Sequence, residues 1–164
     1  MDRELTEISK KIVTILTENK KSISTAESCT GGLISTYLTE VPGSSACFNG
    51  GVCSYTEFAK GALLGIPQIQ IDKFGVVSKE VAIKMANSVQ MVLQSDYGLS
   101  TTGVAGPGGG SAKTPVGTVW CGIATPKSCE AFCLHLEGNR NMIRKGAVTK
   151  ILTHLYTEHL KEQI

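Results

Sequence analysis

Apolar residues recur at the spacing of an amphipathic helix along three stretches of this chain. Leu5, Ile8, Ile12, Ile15 and Leu16 form one stripe and predict a helix over 4–18. Val81, Met85, Val89, Val92 and Leu93 form a second over 79–94, with Ser78 placed as its N-cap. Ile143, Ala147, Ile151 and Leu155 form a third over 140–161. A shorter apolar helix is predicted over 31–40 through Leu33, Ile34, Tyr37 and Leu38, stopped by Val41-Pro42-Gly43-Ser44-Ser45. Another short helix covers 57–64. Strand-like runs lie at 22–26, 48–55, 97–102, 116–124 and 130–136, the last two around a turn at Pro126-Lys127-Ser128. Helices and strands alternate early and a hairpin enters late. That order predicts the α/β class: a three-layer α/β/α sandwich with a mixed β-sheet, as a single domain over 1–164.

Composition narrows the function classes. At 164 residues, 41% hydrophobic and 18% charged, the chain can bury a proper core. A net charge of +2, with Lys and Arg scattered among Asp and Glu, gives no electrostatic case for a nucleic-acid partner. No apolar run approaches the roughly 20 residues of a membrane span. The start, Met1-Asp2-Arg3-Glu4, has no signal-peptide core, so a cytoplasmic location without membrane attachment is expected. The six cysteines include no Cys-x-x-Cys pair and read as free thiols, mostly small core residues. Cys129 and Cys133 lack a zinc-knuckle spacing. His135, His154 and His159 show no ligand spacing. His154 and His159, five apart on a helix, are expected to point in different directions. Neither a metal nor a cofactor is expected.

The candidate chemistry gathers at turns. Thr25-Ala26-Glu27-Ser28-Cys29-Thr30-Gly31-Gly32 ends a strand and opens a helix. Such a turn points N–H groups outward at the positive end of a helix dipole, where it can hold an anion or a nucleophile beside one. A second glycine-rich stretch, Thr101 to Gly110, follows a strand, and its glycines let backbone approach a ligand. It is neither a Walker A loop, since Ala112 precedes Lys113 and Pro115 follows Thr114, nor a G-x-G-x-x-G turn. It reads as a ligand-facing lid or cradle, or else as a surface loop. Third, Tyr55 at a strand end and Lys60 near the next helix start can share one crevice with Ser28, where either could serve as a base; otherwise they are surface and interface residues. Glu27 is a candidate for catalysis or for structural hydrogen bonding. Arg140 and Arg144, four apart on one helix face, suit a phosphate or carboxylate near a cleft, or else form a solvated helix face.

Several blocks in order, T-A-E-S-C-T-G-G-L-I, V-P-G-S-S-x-x-F-x-G-G-V, Y-T-x-x-A-K-x-x-L-L-G, G-V-V-S, T-G-V-A-G-P-x-G and P-V-G-T-V-W, resemble the CinA C-terminal domain family, the nicotinamide mononucleotide deamidases. The resemblance runs from about residue 5 to 160 and suggests the stand-alone form, without the molybdopterin-binding-like domain that precedes it in larger relatives. It implies metal-free hydrolysis of the amide of nicotinamide mononucleotide to nicotinate mononucleotide and ammonia, in pyridine nucleotide recycling. By that resemblance Ser28 is the nucleophile or water-activating hydroxyl, and Tyr55 with Lys60 assists. Thr102 and the backbone of Gly103, Ala105 and Gly106 position the amide or stabilise the oxyanion. Thr30, Gly31, Gly32, Gly51 and Arg140 are the implied substrate contacts. A homo-oligomer, dimer or larger, is also implied.

The chain departs from the family pattern at Glu57, where Asn is usual, and at Thr114, where a Lys precedes the Pro. Two other classes remain open at this level. One is a non-catalytic nucleotide-binding module acting through a protein partner, in competence or stress. The other is a thiol sensor on Cys29, which is also the stronger intrinsic nucleophile beside Ser28.

Overall fold

Side-chain alternation along the central strands sorts the molecule into two cores. The computed structural model describes residues 3–161. Met1 and Asp2, read above as part of a start without a signal peptide, lie outside the described residues. The elements are α1 (Arg3–Glu18), β1 (Ile23–Glu27), α2 (Leu33–Thr39), β2 (Phe48–Cys53), α3 (Glu57–Leu64), α4 (Gln68–Phe74), α5 (Lys79–Val92), β3 (Tyr97–Gly103), β4 (Thr118–Ala124), β5 (Cys129–His135) and α6 (Arg140–His154). A π-helical segment, Leu155–Leu160, continues α6.

One sheet runs in the order β2-β1-β3-β4-β5. Strands β2, β1 and β3 are parallel; β4 and β5 are antiparallel additions. The mixed α/β architecture expected from the alternation is the one found. On one face Ile23, Tyr97, Leu99, Val119, Cys121 and Ile123 meet the apolar stripes of α1, α2 and α6. On the other, Ala26 packs with Val81, Met85 and Val89 of α5, Leu64 of α3 and Ile71 of α4. Helix α5 lies very close to the sheet because the strands offer it small residues. A Cβ at Gly98 or Gly122 would collide with the carbonyl oxygen of Ala86 or Ala82. Ser100 Oγ donates to the Ala82 carbonyl at 2.6 Å across the same seam.

Three expectations change. Helix α4 was not anticipated, since a seven-residue helix with Ile71 as its one buried residue leaves no period to read. Strand β2 stops at Cys53: the Ser54 N–H makes a last ladder bond to the Glu27 carbonyl of β1, and Thr56 then caps α3. The last helix is α-helical only to His154. Its π-helical continuation brings His154 and His159 onto one carboxylate, Glu130, instead of pointing them apart.

Chain direction also locates a cleft. From β1 the chain passes through α2 to β2 on one side, whereas β3 hands on to β4 on the other. Loops leaving the C-terminal ends of β1 and β3 therefore diverge, and open α/β sheets bind ligands at such a switch point. Among the described residues, no helix is long and apolar enough to cross a membrane.

Candidate active site

The turn after β1 is built around a buried carboxylate. Glu27 is 1% exposed. Its Oε2 accepts from the Ile34 N–H at 3.0 Å and from Thr30 Oγ1 at 2.7 Å. Its Oε1 accepts from the Ser35 N–H and Ser35 Oγ, both at 2.9 Å. The chain's own carboxylate thus satisfies the first N–H groups of α2, which corrects the expectation of a free anion site there. Gly31 (φ +59°) and Gly32 (φ +92°) make the left-handed bend that lets α2 start directly above Glu27. The Ser28 N–H donates to the Thr101 carbonyl at 3.0 Å, which ties the turn to β3.

Ser28 faces a lysine that is fully buried. Thr56 caps α3 by accepting from the Ala59 N–H, and the helix carries Lys60 inward. Lys60 Nζ donates to the Ser54 carbonyl at 2.7 Å and to Ser28 Oγ at 2.9 Å. Burial pushes its pKa below the usual lysine range, against the opposing pull of Cys29, Glu57 and Cys53. The neutral amine form is thereby brought closer to neutral pH, in contact with a hydroxyl.

The thiol next door is different. Cys29 is buried, and burial pushes its pKa up to about 11, an effect that the Lys60 and Arg144 charges only partly offset. A thiol that stays protonated is a weak nucleophile. Alkylation with iodoacetamide at neutral pH should therefore modify the exposed Cys53 at least about tenfold faster than Cys29. Mass-spectrometric mapping of the time course checks this, and equal rates would return Cys29 to contention.

Ser28 and Cys29 open into a cleft of about 520 Å³. One wall is the segment Phe74, Gly75, Val76 and Val77 between α4 and α5; the other is the glycine loop after β3, including Gly103, Ala105 and Gly106. Lys113, Thr114, Tyr55 and Arg140 complete the lining. Arg140, at the start of α6, donates through Nη1 to the Gly106 carbonyl at 2.8 Å and through Nη2 to Tyr55 Oη at 2.6 Å. Arg144, one turn on, donates to the Thr30 carbonyl at 2.7 Å.

The CinA C-terminal domain profile matches residues 5–159. The chain belongs to the CinA C-terminal domain family. A protein of Caldanaerobacter subterraneus named for competence damage is 44% identical over 155 residues, which is 94% of this chain and 36% of that protein. A CinA-like protein of Endomicrobium trichonymphae is 46% identical over 138 residues, 84% of this chain and 32% of its own length. The chain thus spans about a third of the length of the curated relatives it matches. Among solved structures, the competence/damage inducible protein CihA of Agrobacterium tumefaciens superposes with a TM-score of 0.92 at 36% identity, covering 94% of this chain and 95% of that one.

Within this CinA domain the residues singled out by sequence separate into groups. Ser28, Tyr55, Gly103, Ala105, Gly106 and Arg140 line the cleft, and Lys60 reaches it from beneath through Ser28. Tyr55 and Lys60, read as one assisting pair, part company: the Tyr55 hydroxyl is held by Arg140, at the mouth. Thr102 Oγ1 donates to the Val76 carbonyl at 2.8 Å and so anchors a cleft wall from behind. Thr30, Gly31 and Gly32 do not line the cleft; the Thr30 hydroxyl is engaged with Glu27 and Thr101. Gly51 lies on β2, also away from the cleft, where a Cβ would collide with Ser35 Oγ and Thr25 Oγ1. Sequence reasoning gave no role to the 74–77 wall, although G-V-V-S was among the blocks noted, nor to the Ser54 carbonyl that holds Lys60.

Proposed function

We propose that this CinA domain is a serine–lysine amidohydrolase that converts nicotinamide mononucleotide to nicotinate mononucleotide and ammonia. The observation that carries the reading is the buried contact of Lys60 Nζ with Ser28 Oγ at 2.9 Å, opening on a cleft of about 520 Å³. That volume is of the size small-molecule sites take. A module that only bound a nucleotide would have no use for a desolvated amine against a hydroxyl.

In this reading neutral Lys60 accepts the Ser28 proton as Ser28 Oγ attacks the amide carbon. Negative charge develops on the former carbonyl oxygen. The N–H groups of Ala105 and Gly106 carry no hydrogen bond to another described residue and border the cleft, so they are the candidate oxyanion donors. Protonated Lys60 then delivers its proton to the leaving nitrogen and ammonia departs. Water, deprotonated by the now neutral Lys60, attacks the acyl-serine ester; the acyl–Oγ bond breaks, Lys60 returns the proton to Ser28 Oγ, and the nicotinate product leaves. Arg140 and Lys113 supply positive charge along the lining for an anionic nucleotide.

The test is ammonia release from purified protein given nicotinamide mononucleotide, with free nicotinamide and nicotinamide riboside as comparison substrates. Turnover of the mononucleotide, with the other two poor, is the expected result. No ammonia from any of the three would sink the reading.

A further inference from the structure

A second constellation lies at the far end of the sheet from the cleft. Glu130 of β5 stands opposite Ile123, which stands opposite Leu99 near the start of β3, whereas the cleft opens beyond the end of that strand. Glu130 Oε1 accepts from His154 Nε2 at 2.9 Å and from His159 Nε2 at 2.8 Å. One atom from each of the three side chains falls within 4.8 Å of the other two.

The backbone is shaped to produce this meeting. Residues five apart on an α-helix face about 140° apart, which would carry His159 away from His154. The π-helical segment Leu155–Leu160 bonds i to i+5 instead, and so returns His159 to the same side. π-Helical turns of this kind are frequent at functional sites. Phe132, two residues along β5 from Glu130, stacks on the His154 ring with centroids 4.4 Å apart and planes at 26°, which fixes that ring's direction. The side chains of Glu130, His154 and His159 keep 45%, 33% and 18% exposure, so an ion can arrive from solvent and water can complete its shell.

We propose that Glu130, His154 and His159 bind a divalent transition-metal ion of the zinc class. Two imidazoles and one carboxylate suit Zn²⁺, Co²⁺ or Ni²⁺, whereas Ca²⁺ and Mg²⁺ favour all-oxygen sets. Bonds of about 2.0–2.2 Å to a shared tetrahedral centre set ligand separations of about 3.4 Å, so the two contacts to Glu130 open by about half an ångström, while the two imidazoles, already within 4.8 Å of each other, settle at the same separation. Each neutral ring then presents Nε2 to the ion and carries its proton on Nδ1. The bound ion clips the C-terminal helical segment to the edge strand β5.

The test uses tag-free full-length protein under reducing conditions, with Co²⁺ as optical probe, Zn²⁺ as stabiliser and Mg²⁺ as control. Wild type should bind one Co²⁺ per chain with visible bands and without the thiolate charge-transfer absorption that cysteine ligation would give. Zn²⁺ at a hundredfold excess over its Kd should raise Tm by about 5–10 °C, and Mg²⁺ should not. His159→Gln and Glu130→Gln should each lose the cobalt spectrum and the Tm shift while hydrolysing the amide at the wild-type rate. Two conservative variants keep the test valid if one fails to fold. Thiolate bands, no saturable Co²⁺ binding below millimolar concentration, or an undiminished Tm shift in the folded variants would overturn the proposal.

Discussion

Ser28→Ala and Lys60→Met should each lower kcat/KM for nicotinamide mononucleotide by about 10³-fold, and the double variant should be no worse than either single one. The reason is the shared proton. Lys60 Nζ touches Ser28 Oγ, and removing either group leaves the other with nothing to activate or to be activated by. If the two acted independently their losses would multiply, and a double variant reduced about 10⁶-fold would contradict the pairing. Singles that keep activity within tenfold of wild type would move the chemistry to a directly activated water. The same pair dictates the pH profile. The neutral amine is the working form, so the rate should fall as pH drops through the lowered pKa of Lys60 and level off above it.

Stability should respond to pH in the same sense as activity. Lys60 binds its proton less tightly folded than at its ordinary value of 10.5, so the native state holds fewer protons than the unfolded chain in the window between the two. Its contribution to stability is fully present above 10.5 and is lost as pH falls through the folded value. Lys60→Met removes that slope. Its net cost at neutral pH should stay within about 1 kcal/mol, because relief from burying the amine offsets a Ser54 carbonyl left without its donor. Urea denaturation across pH measures both statements.

Periodic features were legible in the chain and directional ones were not. The stripes of α1, α5 and α6 announce themselves because each helix covers one side of the sheet, and the alternation with a late hairpin gave the mixed sheet. The Ser28 turn, Lys60 and the glycine loop stood out by residue type. The burial of Lys60 did not, since its helix also carries Phe58, 83% exposed, and Leu63, 51% exposed. His154 and His159 were misjudged because 3.6 residues per turn was assumed where the backbone is π-helical. Glu27 was ambiguous for a related reason: a carboxylate at a turn reads equally well as acid, base or cap until its partners are placed.

Those partners make Glu27 the residue whose loss should destabilise the fold most. Thr30 and Ser35 each give their single hydroxyl proton to Glu27. Each of these hydroxyls must then accept from its other neighbour, so Thr101 donates to Thr30 and Thr25 donates to Ser35, both at 2.7 Å. Every proton in the chain Thr25, Ser35, Glu27, Thr30, Thr101 thus runs toward one acceptor-only group, inside the protein. Glu27→Gln preserves shape but turns an amide NH₂ toward donors, and should cost about 3 kcal/mol; Glu27→Ala should cost about 3–5 kcal/mol. At this chain length those losses lower Tm by roughly 6–20 °C. Calorimetry or urea titration at neutral pH reads the effect, and a change below about 0.5 kcal/mol, the size of an ordinary surface substitution, would refute the network. Because Ser28 directly follows Glu27, both variants should also lose amide hydrolysis at temperatures well below their Tm, as the turn that holds the nucleophile loosens before the sheet does.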